Sequence, residues 1–299
     1  KYPILHLDLN IEKYDTPDSL DNILDKSLTA WEKLYGAEPS ERSFSLRFAG
    51  IIERACKQAG QRVVILVDEY DKPMLQAIGN EELQRQFRNA LKPFYGALKT
   101  MDGCIKFAFL TGVTKFGKVS VFSDLNNLDD ISMRKDYVEL CGVSDRELHD
   151  TLDAELHEFA DVRGVTYDKL CAELKECYDG YHFTHNSIGM YNPFSLLNAF
   201  KYKEFGSYWF ETGTPTYLVS LLKKHHYDLE RMAHEETDAQ VLNSIDSEST
   251  NPIPVIYQSG YLTIKGYDEE FGIYRLGFPN REVEEGFVRF YASLLCECQ

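Results

Sequence analysis

The stretch at residues 62–73, RVVILVDEYDKP, places two carboxylates directly after an apolar run. Residues Val63 to Val67 are β-branched or aliphatic, which is the composition of a buried parallel strand. Asp68 and Glu69 then stand at the carboxyl end of that strand, the edge of an open α/β sheet where ligands bind. An adjacent pair of this kind can divide one task. The first carboxylate carries the water shell of a Mg²⁺ ion, and the second polarises an attacking water, as in nucleoside triphosphate hydrolysis. The plainer reading is a strand that ends in a solvated acidic turn.

Such chemistry needs a cradle for phosphate. In LTGVTKFGKVS, Gly112, Gly117 and Lys118 fit the spacing G-x-x-x-x-G-K. This match reads as a decoy. Val119 occupies the position where Ser or Thr would meet Mg²⁺, and Ser120 comes one residue late. The following VSVFSDLNNLDDISM has no helical face whose N-terminus would meet phosphates. The order is also reversed, because the acidic strand normally follows the loop. A better role for this stretch is that Thr111 ends a strand beside the Asp68 strand, where a polar side chain senses the terminal phosphate. Lys115 in the same stretch and Arg134 in ISMRKDY are the candidate nucleotide-binding cations, and Arg134 is the residue to inspect as an arginine finger. Cys171, Cys177, His182 and His185 have the spacing C-x5-C-x4-H-x2-H, whereas zinc sites use closer cysteine pairs on tight turns. Two cysteines six apart on a helix point in different directions, so a structural role is favoured. The clusters YDGYHF and YWFETGTPTY read first as core and second as stacking platforms for a base.

The elements that would position these residues follow from periodicity. ILHLDLN alternates as a strand. Thr16 and Pro17 open a helix with Leu20, Ile23, Leu24, Leu28 and Trp31 on one face, stopped by Gly36. A second helix ends at Gly60, a third spans residues 80–100 with Pro93 inside, and CIKFAFLTG is another buried strand. The order β-α-α-β-α-β predicts a parallel sheet covered on both faces over residues 1–142. From 143 to 275 the pattern becomes amphipathic helices followed by a small β-hairpin group in PVIYQSGYLTIKGYDEEFGIYRLGFP, a helical lid or winged-helix-like domain. Residues 276–299 read as a linker and the start of a further domain.

Composition excludes some partners. The 299 residues are 43% hydrophobic and 27% charged, an ordinary globular balance. No run approaches the ~18 apolar residues of a membrane span, so no membrane partner is expected. Seven scattered cysteines suit reduced thiols and a cytoplasmic setting. A net charge of −16 repels phosphate backbones and argues against a dedicated nucleic-acid grip, which leaves LTGVTKFGK and ISMRKDY as the only modest candidates for a local basic patch.

Taken together, VVILVDEYDKP, FAFLTGVTKF, SVFSDLNNLDDIS, ECYDGYHF, YNPFSLLNAF, YWFETGTPTYL and VIYQSGYLTIKGYD resemble the AAA-ATPase-like proteins abundant in gut bacteria, notably the Bacteroidetes. The resemblance covers nearly the whole chain. It implies a P-loop-NTPase-like parallel sheet flanked by helices, ATP and Mg²⁺ as ligands, and a phosphate loop upstream of Lys1. It also implies a PD-(D/E)XK-type nuclease domain joined near FPNREVEEGF. Asp68 and Glu69 match the family's acidic pair, Thr111 its polar strand end, and Asp71 and Lys72 the tail of its motif. The expected departure is the phosphate loop and its central strand, whose absence leaves apolar strand edges that more chain or another copy would cover. Three readings follow: an ATPase module that gates a nuclease-like domain, a degenerate scaffold that assembles with protein or nucleic acid, and phosphate binding by Gly112–Lys118 itself.

Overall fold

The computed structural model describes residues 1–115, 121–122, 125, 127–212, 234–243 and 251–296. They fall into two compact units, one within Lys1–Asp129 together with Asn243, and the other within Asp130–Leu242 and Asn251–Gln299.

The first unit is a three-stranded parallel sheet in the order β1-β2-β3, formed by Ile4–Asp8, Val63–Asp68 and Ile105–Leu110. Its helices start where the sequence supplies caps. In α1 (Pro17–Tyr35), Pro17 sits in the first turn, where its missing N–H costs nothing. In α2 (Phe44–Ala59), Ser43 accepts from the Leu46 amide, and Gly60 closes the helix in the left-handed region. A short α3 (Lys72–Gln76) follows β2, and α4 (Glu81–Thr100) starts at Asn80, which accepts from the Leu83 amide. The three long helices pack on one another through a stack of Trp31, Phe48 and Phe94, with Phe48 and Phe94 only 4.5 Å apart. Leu5, Leu7, Val63, Ile65 and Val67 face this layer and are buried.

The parallel sheet flanked by helices is as expected, but among the described residues the helices cover one face of it and not both. Ile4 is 58% exposed and Phe107 54% exposed, and the strand register sets both beside Val64 on the opposite face. The reason is topological. Each crossover adds the next strand on the same side, and right-handed crossovers that never reverse direction lay their helices on one face. Covering the second face requires the strand order to turn back.

The second unit is mainly helical. A capping box between Ser144 and Glu147 opens α5 (Asp145–Arg163), Thr166 caps α6 (Tyr167–Tyr178), and Asn192 caps α7 (Pro193–Tyr202). Leu148, Phe159, Leu170, Leu174, Tyr191 and Leu196 form their shared core. Two short strands, β4 (Val143–Ser144) and β5 (Met190–Tyr191), pair antiparallel. A second antiparallel sheet joins β6 (Glu236–Asp238) to the hairpin of β7 (Thr263–Asp268) and β8 (Ile273–Gly277), in the order β6-β8-β7. The PVIYQ segment lies in a helix, α8 (Ile253–Gln258), not in the hairpin group, because Pro252 and Pro254 fit a helix start. Residues 276–299, read as a linker and the start of a further domain, contain α9 (Arg281–Cys296). Its Val283 and Phe287 are buried with Tyr261, Ile264 and Leu276 in the core of this unit. No described helix is long and apolar enough to cross a membrane.

Candidate active site

The carboxyl edge of the sheet collects the acidic residues. Asp8 ends β1 and pairs in register with Asp68 at the end of β2. Thr111 follows β3, and its Oγ1 donates to Asp68 Oδ1 at 2.6 Å. The Tyr70 amide donates to the Thr111 carbonyl, so the two strand ends are tied by backbone as well. Glu69 lies between them with φ of 56°, a left-handed conformation unusual for a side chain with a Cβ. Residues held this way cluster at functional sites. Burial pushes the Glu69 carboxyl above its ordinary range, and the neighbouring Asp71, Asp68 and Asp8 add to this against the opposing charge of Lys72. A half-buried carboxylate with raised proton affinity is what a base for water needs.

The remainder of the DEYDKP motif builds the frame. Asp71 is buried and accepts from the Val113 amide at 3.2 Å and from the Thr114 amide and hydroxyl, the latter at 2.6 Å. Burial raises its pKa, and these hydrogen bonds from Thr114 and Val113 pull it back. Gly112 is required by this contact, because a Cβ there would collide with the Asp71 carboxylate. The Tyr70 hydroxyl donates to the Thr114 carbonyl at 2.7 Å. The Lys72 ammonium donates to both Asn10 oxygens at 2.6 Å and so joins the turns after β1 and β2. Asp71 and Lys72 therefore fix the loops that carry Asp68, Glu69 and Thr111.

Asp68, Glu69 and Thr111 thus meet at one edge. Lys115 lies further along the Thr111 loop. Arg134 belongs to the other unit, where its guanidinium lies 5.9 Å from the Tyr137 ring centre. Gly117, Lys118, Val119 and Ser120 lie outside the described residues. Cys177 accepts from Arg281 at 2.8 Å, and His185 stacks on Tyr267 at 4.5 Å. Sequence reasoning missed Asp8. Local pattern marks ILHLDLN only as a strand, and the place of Asp8 beside Asp68 comes from the β1–β2 pairing.

Among the described residues, no cluster of three or more side chains could ligate a metal directly. Mg²⁺ retains several waters and uses one or two carboxylates. Asp68 is exposed, and Thr111 engages only its Oδ1, so this donor set fits an ion held through its water shell.

The first unit is an α/β unit with a carboxylate pair at the carboxyl edge of its parallel strands, the edge where open α/β sheets bind ligands. Residues 1–122 match the AAA-ATPase-like family, described as predicted AAA-ATPase, which supports an ATPase-like module in the first unit. Over 287 residues the chain is 36% identical to the "uncharacterized protein in vnfD 5′ region" of Azotobacter chroococcum mcd 1. That match covers 95% of this chain and 53% of that protein, so the chain spans about half the length of the curated relative it matches.

Proposed function

We propose that the first unit binds and hydrolyses ATP, with Asp68 holding the water shell of Mg²⁺ and Glu69 activating the attacking water. A divalent ion there would offset phosphate charge in the transition state. Glu69 accepts the proton of the water it orients. Thr111 acts first on Asp68, because its hydroxyl proton is already directed there; sensing a terminal phosphate requires that hydroxyl to turn away. Asp71 and Lys72 hold the two loops in register. The phosphate-binding loop comes from chain beyond these 299 residues, on a strand that joins the outer edge of β3. The second unit acts as a lid that couples nucleotide state to a nuclease-like domain of the same protein, and the whole works in the cytoplasm, with a homo-oligomer as its expected assembly.

The observation that carries this reading is the convergence of Asp68, left-handed Glu69 and Thr111 at one strand edge. The family match over residues 1–122 supports the class of reaction. The open edge of β3 among the described residues supports the added strand. In the longer protein, Glu69→Gln is expected to retain ATP binding and to lose turnover by about 10²–10⁴-fold. Turnover unchanged by that substitution would sink the role of Glu69.

A second reading, a non-catalytic ATPase-like scaffold that assembles with protein or nucleic acid, is favoured by the exposed apolar sheet face around Ile4 and Phe107. Mg²⁺-dependent ATP turnover by the longer protein rejects it.

A further inference from the structure

Two thiols lie at the edge of the sheet that the hydrolytic reading does not use. Cys56 is in the last turn of α2, and the left-handed Gly60 then turns the chain towards Val63, the first residue of β2. Cys104 ends a 3₁₀ turn, Asp102–Cys104, and the next residue, Ile105, opens β3. Ile105 is the register partner of Val63. Both cysteines therefore stand where the chain enters the sheet, at the amino ends of neighbouring parallel strands and opposite the carboxylate edge. α2 packs directly against the 3₁₀ turn.

The two side chains meet. The Cys104 thiol donates a hydrogen bond to the Cys56 sulfur. Both residues are only partly buried, which leaves small oxidants a way in. Lys57, paired with Glu53 at 2.6 Å, is close enough for its charge to act on both sulfurs. A neighbouring ammonium favours the thiolate, which is the reactive form. The remaining described cysteines are placed differently: Cys171 is hydrogen-bonded with Tyr167, Cys177 accepts from Arg281 at 2.8 Å, and Cys141 is exposed. Among the described residues no cluster of three or more side chains could ligate a metal, so a thiolate metal centre has too few ligands here.

A bond between the sulfurs requires them to approach from hydrogen-bonding distance to about 2 Å. The 3₁₀ turn has room for that movement, because a Cβ on Gly103 would meet nothing within 4 Å.

We infer that Cys56 and Cys104 are a reversible redox pair, oxidised to a disulfide by a low-molecular-weight disulfide. Cys56, which receives the hydrogen bond, attacks first as the thiolate. It forms a mixed disulfide with one half of the small molecule, and the other half leaves as a thiolate. The Cys104 thiolate then attacks the Cys56 sulfur, the Cys56–Cys104 bond forms, and the second small thiolate leaves. Two protein thiols lose two electrons, the small disulfide is reduced to two thiols, and the two protein protons end on them. The new bond closes a loop that carries β2, α3 and α4, and so constrains the segment that bears Asp68 and Glu69. The inference stands independently of the ATPase reading.

The test places the folded 299-residue chain in mixtures of oxidised and reduced glutathione, blocks the remaining free thiols, and maps the linkages by peptide mass spectrometry. The Cys56–Cys104 bond is expected to form with an equilibrium constant at least tenfold larger than that of any other pair among the seven cysteines. Dithiothreitol should restore both thiols. The urea midpoint should be higher in the oxidised chain than in the reduced one, and Cys56→Ser or Cys104→Ser should each abolish that difference. Cys104→Ser should also accumulate a glutathione adduct on Cys56, because the resolving thiol is gone. No Cys56–Cys104 linkage in the folded chain, or a linkage no more favoured than the other pairs, overturns the proposal. A Cys104→Ser chain with no more adduct on Cys56 than the unsubstituted chain overturns it as well. Because the linkage is mapped on the unsubstituted chain, the proposal stays falsifiable if a variant fails to fold.

Discussion

The two faces of the three-stranded sheet differ in how far they are covered. On one face Leu5, Leu7, Val63, Ile65 and Val67 are buried, next to helices locked by Trp31, Phe48 and Phe94. On the other, Ile4 and Phe107 remain more than half exposed beside Val64. Both faces are apolar, so composition does not explain the difference. Connectivity does: strands added in one direction send their helices to one side. The carboxylate edge lies where these faces meet, and among the described residues only one of them is covered by helices.

The largest test of the comparison is on the finished face. Phe94→Ala removes a fully buried ring that stacks on Phe48 at 4.5 Å. A buried Phe→Ala truncation costs about 3–5 kcal/mol, so urea unfolding read from Trp31, in a Trp209→Phe background, should move to a much lower midpoint. An effect below about 1 kcal/mol would mean that the aromatic stack is not the core of this unit. Next in size is Asp71→Ala, which strands the amides of Val113 and Thr114 and the Thr114 hydroxyl. Unmet donors cost about 1–3 kcal/mol each before water relieves them, so a loss of about 2–3 kcal/mol is expected. Amide exchange at Val113 and Thr114 should accelerate with it.

How much of this was readable in the sequence depends on the range of the interaction. The strand and helix order of the first unit followed from local periodicity, and Gly36, Gly60 and Asn80 punctuate it as capping rules require. Asp68 and Glu69 were legible because an apolar run followed by acids is a local signal. Asp8 was not, because its place beside Asp68 depends on a pairing between strands far apart in sequence. The role of Asp71 was hidden for the same reason, since its partners Val113 and Thr114 lie on another strand's loop. The half-covered sheet is a property of topology, which hydrophobic pattern does not encode. PVIYQ reads as a strand by composition, yet its prolines fit a helix start.

Smaller effects probe the edge between the faces. Glu69 holds a left-handed backbone at φ 56°, where glycine carries no Cβ penalty. Glu69→Gly should therefore raise the stability of the chain by about 1 kcal/mol while it removes the proposed base. The gain should depend on pH. The folded carboxyl holds its proton more tightly than the ordinary value of 4.5. Its contribution is thus fully present below that value and is lost as pH rises through the raised one. Glu69→Gly should then gain more at pH 7 than at pH 4. A larger gain at pH 4 would reverse the electrostatic account.

The smallest expected effect is on the unfinished face, and it decides whether that face is unfinished at all. Phe107 is 54% exposed and touches Phe109 in a stack 6.0 Å between centres. Phe107→Thr gives up little burial in this chain and keeps a residue that favours strands. Its cost in the 299-residue chain should be under about 1 kcal/mol, against several for Phe94→Ala. In the longer protein, a strand on the β3 edge and its helix would cover Phe107, and the same substitution should cost about 2–3 kcal/mol there. A large cost in both proteins would mean that Phe107 is already packed in this chain. A small cost in both would mean that nothing covers this face in the longer protein, and the proposed strand on β3 would have to be given up.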